Sequence, residues 1–447
     1  MQVASALTYR GGDASSFTGW TSSNGLTNTL SYDGDGRLTG ISVPGVQSLG
    51  FGYDAADRIT RITNGRDASL TQTFQYDSVY RLTSATSTAN SEGFQYDTNG
   101  NRTSHVINGV TLAQGIDPGS NRLVSTNTQA LGYDANGNLT TVDGAAQYHY
   151  DAFNRMDSAT NTTYYVNPEG QRLRKVGALD TIFFAPDRGG PLLAEYANGG
   201  WVDYVWIHGR LIGRVSGGQV YAIHADQVGR PEVATNASRS IVWSAENFAF
   251  DRQVVTEGFK LNLGFPGQYF DDETKTWNNG FRDYRADLGR YVESDPVGLM
   301  AGANTYTYVG GNPMSLFDIW GLTQEDIDCM LALAKRTETD LKFPKKDPVV
   351  QNMATHIDSL GNEIVDVGEY NAINGKMYLS SRYLKTLSGD MLVELYDTIV
   401  HEALHKTRGP FSGLGEAHRD VYQEANKRSN ALAGQIKSGG IHCGCAK

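Results

Sequence analysis

A ten-residue string headed by Tyr-Asp recurs through the early part of this chain, and no other feature restricts the possible fold so strongly. It reads YDGDGRLTGI from Tyr32, YDAADRITRI from Tyr53, YDSVYRLTSA from Tyr76 and YDTNGNRTSH from Tyr96. It returns as YDANGNLTTV from Tyr133 and YDAFNRMDSA from Tyr150. IDPGSNRLVS from Ile116 fills the longest gap as a degenerate copy, and YVNPEGQRLR from Tyr165 continues the series. Successive copies begin 15 to 23 residues apart. In each, the tyrosine closes a strand, the aspartate and the residues after it make the turn, and Arg-Leu-Thr or its equivalent opens the next strand. One copy is therefore one hairpin. A hairpin cannot bury its apolar face alone, so neighbouring copies must extend a continuous sheet. The 51 glycines and 24 tyrosines suit such a turn-rich, half-buried architecture.

The totals narrow what else the chain can be. Its 447 residues allow two or three domains. A formal net charge of −11 and a pI near 5.3 argue against a nucleic-acid partner. Three cysteines do not make a disulfide framework, which points to synthesis in a reducing compartment. No run approaches the roughly 18 apolar residues of a membrane span. The opening MQVASALTYRGG has neither a basic n-region nor a long apolar stretch, so export by a standard signal peptide is not expected.

The repeats resemble the tyrosine-aspartate repeats of the Rhs/YD-repeat family, and the likeness continues downstream. HADQVGRPEVATNASRSIVWSAENFAF from His224 and FPGQYFDDETKTWNNGFRDYRADLGRYVESDPVGL from Phe265 are similar to the family's core. NTYTYVGGNPMSLFDIWGL, ending at Leu322, is similar to the close of that core. The resemblance implies that the repeats coil into a hollow β-shell, longer than this number of repeats can close, with the core plugging one end around a variable C-terminal toxin. It also implies two Asp-Pro-x-Gly motifs and a cut just after the second. Here they are Asp295-Pro-Val-Gly and Asp318-Ile-Trp-Gly, the latter with Ile319 in place of proline. The implied chemistry is that of an aspartyl protease. Two carboxylates held close do not both ionise, so one keeps a proton while the other activates water. Asp295 and Asp318 would be the pair, and the cut would separate Leu322 from Thr323. Composition changes at the same point: after Leu322 the repeat string does not recur (Tyr396-Asp397 is followed by no Arg-Leu-Thr or Asn-Leu-Thr), and TQEDIDCMLALAKRTETDLK reads as a helix capped by Thr323.

Beyond the break, DTIVHEALHKT contains His401-Glu402-Ala403-Leu404-His405, the pattern H-E-x-x-H. GDMLVELYDTIVHEALHKTR reads as a helix, which sets His401 and His405 one turn apart on one face, where a single Zn²⁺ takes a nitrogen from each. Glu402 is then the general base beside the open metal position. The bland reading is two histidines on a solvated helix face. A third ligand comes from GLGEAHRDVYQEANKR, a second predicted helix. Glu416 and Asp420 share a face there, an arrangement similar to that of gluzincin metallopeptidases. By that resemblance Glu416 binds the metal and Asp420 supports His401 from behind. His418 competes with Glu416, and Asp420 itself remains open as a ligand. NGKMYLSS reads as a strand, of the kind small zincins set at a sheet edge beside the cleft. Tyr370, Tyr378 and Tyr383 are oxyanion stabilisers by type or simply core aromatics, and the tail with His442, Cys443 and Cys445 is a weak metal signal.

The reading is a mainly β YD-repeat shell, hairpins spiralling into a large sheet, followed by a small α+β zincin-like domain. Its units are 1–180 for the repeat shell, 181–322 for the core with the cleavage motif, and 323–447 for a zinc metallopeptidase toxin. The resemblance implies synthesis in a bacterial cytoplasm, delivery into a competing cell by a secretion machine, a protein substrate there, and a cognate immunity protein in the producer. Two other classes stay open: a structural or adhesive surface protein with a non-catalytic C-terminus, and a metal-dependent nuclease payload.

Overall fold

The structure is a computed structural model. It describes residues 2–10, 17–167, 170–187, 191–296, 298, 302–318 and 321, and the backbone of short strands between residues 349 and 380. The described part is almost entirely antiparallel sheet. Strands β1–β12, residues 4–126, form one 12-stranded sheet in which every strand pairs with its neighbours in sequence. Strands β13–β15, residues 131–146, form a small sheet, and β16–β27, residues 148–257, form a second 12-stranded sheet. Strands β28–β31, residues 269–291, complete the core region as a four-stranded sheet. The second large sheet runs through residue 181 without a break in pairing.

The side chains explain why the repeat has the residues it has. At the turn after Tyr32, Asp33 Oδ1 accepts from the backbone N–H groups of Asp35 and Arg37, at 3.0 and 2.9 Å. Its Oδ2 accepts from Arg37 Nε at 2.7 Å. Gly36 occupies the left-handed region (φ 86°), closing the turn as a bulged hairpin loop. Asp57 and Tyr80 hold the same backbone conformation in the next two copies, at φ 60° and 69°. The arginine then reaches the next copy. Arg37 lies over the Tyr53 ring, Arg58 over Tyr76 and Arg81 over Tyr96, at 5.2, 5.1 and 4.8 Å. Each tyrosine hydroxyl donates back to a carbonyl of the preceding copy: Tyr53 to Leu38, Tyr76 to Ile59, Tyr96 to Leu82. Tyr, Asp and Arg are thus three parts of one link between consecutive hairpins.

The repeat goes further than the Tyr-Asp string. Asp226, in the core-like HADQVGRP, accepts from the N–H groups of Val228 and Arg230 and from Arg230 Nε at 2.8 Å. Gly229 takes the left-handed position (φ 93°), and Arg230 Nη1 donates to the Phe248 carbonyl. The link is the same, but Ala225 stands where the tyrosine would be, and here both ions are buried.

Strand alternation places the apolar set on one face. Leu30, Ile41, Leu49, Phe51, Ile62, Phe74, Leu82 and Phe94 pack with Phe250 and Met314 from the later core segments. Ile182, Phe184, Tyr204 and Trp243 pack likewise on Leu261, Leu263 and Tyr269. Both large sheets therefore bury their inner faces against residues that follow them in sequence. The early and late strands also meet along a polar seam. Asn24 donates to Thr235 Oγ1 at 2.9 Å, and Asn28 Oδ1 lies 2.7 Å from His224 Nδ1. Burial pushes the His224 imidazole down to about 4, so it is neutral in that seam.

Between residues 349 and 380, the expected strand over NGKMYLSS is present as β36 (Lys376–Ser380). It is central, however, not an edge. It pairs in parallel with β32 (Val349–Gln351) and antiparallel with β35 (Gly368–Asn371), so those two are the edges of the three-stranded sheet. Its two neighbours fill both hydrogen-bonding sides, which leaves none for an added peptide.

Candidate functional site

A hairpin in the four-stranded sheet carries the site. β29 (Thr276–Asn279) and β30 (Arg282–Arg285) are joined by Gly280 and Phe281, with Gly280 at φ 70°, so Asn279 and Arg282 lie directly opposite each other. β31 (Arg290–Tyr291) pairs with β30 and brings Tyr291 alongside. Four residues later the Asp295–Gly298 turn is closed by Gly298 N–H donating to the Asp295 carbonyl at 2.9 Å. Asp318 arrives from the end of the core.

The two aspartates singled out in the sequence meet on one guanidinium. Arg282 Nη1 is 2.9 Å from Asp295 Oδ2, and Nη2 is 3.6 Å from Asp318 Oδ2. All three side chains are 1% exposed. Arg282 Nε donates to the Gly321 carbonyl at 2.5 Å, and its Nη1 to the Thr305 carbonyl at 3.2 Å. The guanidinium stacks on the Tyr291 ring at 3.7 Å. Tyr291 Oη donates to Asp318 Oδ2 at 2.7 Å. Gly321 sits at φ 67°, and a Cβ there would come within 2.5 Å of the Asn279 carbonyl oxygen. Only glycine fits that approach.

The electrostatics differ from the simple like-charge argument. A cation between two carboxylates offsets their repulsion, so proximity alone does not force a proton onto one of them. A second acidic pair lies next to the first. Asp283 N–H donates to Glu293 Oε2 at 2.7 Å. Burial, reinforced by Asp283, drives the Glu293 carboxyl well above its ordinary range. Burial likewise pushes Asp283 up to about 6, against the pull of Arg172.

Sequence reasoning named Asp295 and Asp318 and missed Arg282, Asn279, Tyr291 and Glu293. Nothing in NNGFRDY or GRYVES marks those residues, because their convergence depends on which strands pair. Leu322, Thr323, Tyr383, His401, Glu402, His405, Glu416, His418, Asp420 and the tail cysteines lie outside the described residues, as do the side chains of Tyr370 and Tyr378. Among the described residues no group of three or more His, Cys, Asp or Glu side chains could hold a metal ion. No helix among them is long and apolar enough to cross a membrane.

Comparison with known proteins agrees with this architecture. The chain is 27% identical over 337 residues to "Double-stranded DNA deaminase toxin A" of Burkholderia cenocepacia (strain H111), which covers 66% of this chain and 22% of that protein. It is 31% identical over 104 residues to "Toxin protein Tse5" of Pseudomonas aeruginosa, 22% of this chain and 8% of that one. It is 28% identical over 164 residues to "Probable deoxyribonuclease RhsA" of Dickeya dadantii (strain 3937), 34% of this chain and 11% of that one. The chain thus spans about a fifth or less of each relative's length. Among solved structures, the TcdB2-TccC3-Cdc42 crystal structure superposes with a TM-score of 0.56 at 20% identity, over 72% of this chain and 19% of that one. At that identity the likeness concerns the fold. The family model described as Teneurin YD-shell matches residues 21–314, the span that holds the linked hairpins and Asp295, and the chain belongs to that family.

Proposed function

We propose that residues 1–322 are the carrier of an Rhs-type antibacterial toxin and that the chain cuts itself between Leu322 and Thr323 to free a C-terminal enzyme. The observation that carries this reading is the buried Asp295–Arg282–Asp318 group, whose guanidinium also holds the Gly321 carbonyl. The held carbonyl belongs to the residue just before Leu322, which supports reading this group as the cleavage machinery. In the cut, one carboxylate takes a proton from water as the water oxygen bonds to the Leu322 carbonyl carbon. The proton taken from water then passes to the Thr323 nitrogen as the C–N bond breaks, so the step balances with both carboxylates ionised at its start. The toxin names of the relatives support the carrier role, and with it a cognate immunity protein and a delivery machine.

For the freed part, 323–447, the reading is a zinc-dependent peptidase. His401, His405 and Glu416, or His418 in place of Glu416, make a donor set of imidazoles and carboxylate that suits Zn²⁺. Bound there, the ion supplies Lewis-acid activation of water and of a peptide carbonyl. Glu402 takes a proton from the attacking water and passes it to the leaving nitrogen, and Asp420 orients His401. A second reading, a payload acting on nucleic acid, is favoured by the deaminase and deoxyribonuclease names of two relatives.

The test begins with the intact mass of the expressed chain. Two fragments divided at Leu322/Thr323, replaced by a single 48.7 kDa species in Asp318→Asn, are expected. A single full-length species in both proteins would end the self-cleavage reading. Cells carrying the full chain or its Glu402→Ala variant then separate the payloads. New protein N-termini that require Glu402 support the peptidase, whereas DNA or RNA damage without such N-termini supports the second reading.

A further inference from the structure

Besides its ion pair with Arg282, Asp318 has one contact on its backbone and one on its side chain that Asn279 joins. Asn279 Nδ2 donates to the Asp318 carbonyl at 2.8 Å and to Tyr291 Oη at 2.7 Å. Tyr291 Oη lies 2.7 Å from Asp318 Oδ2. The direction of these bonds follows from the chemistry. A backbone carbonyl only accepts, so the Asn279 atom facing it must be the amide nitrogen. The second hydrogen of that nitrogen is then directed at the tyrosine oxygen. With its lone pair so engaged, the tyrosine has only its own hydrogen to offer to the Asp318 carboxylate. Asn279 is fully buried and Tyr291 nearly so, so water does not compete for these positions.

We propose that Tyr291, oriented by Asn279, is a positioning residue for self-cleavage, holding the Asp318 carboxylate charged and aimed by a hydrogen bond whose direction the asparagine sets. This rests on the reading that Asp295 and Asp318 cut the chain. A hydrogen bond to a carboxylate favours its charged form over its protonated one. The phenol is suited to the task, because burial, with the adjacent Asp318 carboxylate reinforcing it, holds Tyr291 well above an ordinary phenol and keeps its proton in place. The ring has a separate duty. It packs on the Arg282 guanidinium at 3.7 Å and edge-on against Tyr284 and Tyr308. Phenylalanine at 291 therefore keeps the packing and removes the donor to Asp318 together with the acceptor for Asn279.

The test uses the full chain, isolated unfolded in denaturant and diluted into buffers from about pH 4 to 9, with loss of the full-length species followed over time. Circular dichroism of the refolded chain reports folding. Tyr291→Phe is expected to refold as the wild type does and to cut about 10- to 100-fold more slowly at neutral pH. Its acid limb should move to higher pH, because Asp318 loses a donor that favours its charged form. Asn279→Ala removes the donor that directs the hydroxyl and should shift the limb the same way by a smaller amount. A folded Tyr291→Phe with the wild-type rate and profile overturns the proposal, since packing alone predicts that outcome. A uniformly slower Tyr291→Phe with an unmoved limb overturns it too. If the refolded wild type cuts at no pH and Asp318→Asn is indistinguishable from it, the underlying self-cleavage reading has failed.

Discussion

The repeat turns and the Asp295–Arg282–Asp318 group use the same two ions in opposite settings. In the turns at Asp54, Asp77 and Asp151 one aspartate meets one arginine near the surface, and Arg37 meets Asp33 together with the exposed Asp35 and Asp57. Arg37 and Asp33 keep 34% and 24% of their side-chain surface exposed. The hydrogen bond from Arg37 and the backbone N–H groups holds Asp33 below the usual carboxylate range. Such a pair contributes little energy but fixes a geometry, which is what a repeated turn requires. At residues 282–318, one arginine meets two aspartates with almost no water. Burying three charges is costly, and folding stability alone gives no reason to retain them. The contrast sets exposed ions that fix the register of a hairpin against buried ions kept at a cost, and it is among the second kind that a site is sought.

The sharpest way to break the comparison is to remove the shared cation. Arg282→Ala leaves two buried carboxylates without it and should lower stability by about 3–5 kcal/mol in urea unfolding. The cognate change in an exposed turn, Arg58→Ala, should cost about 0.5–1 kcal/mol. Equal losses would erase the distinction. The buried copy of the turn is the intermediate case. Arg230→Ala strands Asp226, whose side chain is 5% exposed, and should cost about 3 kcal/mol.

A pH series sharpens the same contrast. Burial pushes Glu232 up to about 7, although the hydrogen bond from Gln47 works the other way. A carboxyl raised in the fold binds its proton more tightly folded than unfolded. Its contribution is therefore favourable at low pH and is lost as pH rises from about 4.5 to about 7. Glu232→Gln should flatten that window and add on the order of 2 kcal/mol of stability at pH 8, read from denaturant midpoints at several pH values. The turn aspartates act with the opposite sign: their depressed values make stability fall only below about pH 4. The smallest effect belongs to a single repeat link. Tyr76→Phe deletes the bond to the Ile59 carbonyl and should cost about 1 kcal/mol, with the Arg58 stacking unchanged.

Much of the fold was legible because each link is local. The Tyr-Asp heading, the turn residue and the arginine lie within six positions, and the next copy repeats them, so chain order alone predicts hairpins joined edge to edge. The copy at Asp226 escaped because its tyrosine is absent and its ions are buried. At the site, the Asp-x-x-Gly strings made Asp295 and Asp318 visible, while Arg282, Asn279 and Tyr291 sit in strands with no such mark. The strand over NGKMYLSS was expected from its residues, but its central place in the sheet was not, because pairing partners distant in sequence decide it.

The sequence by itself determined the hairpin, its turn chemistry and its repetition. Those are interactions over a few residues, where backbone geometry and side-chain reach leave little choice. Only the tertiary structure decided that the two aspartates share Arg282, that Asn279 and Tyr291 stand behind one of them, and that Gly321 is drawn against that hairpin. These contacts join segments up to 39 residues apart, and burial, which gives each charge its weight, exists only once the sheets have closed over them.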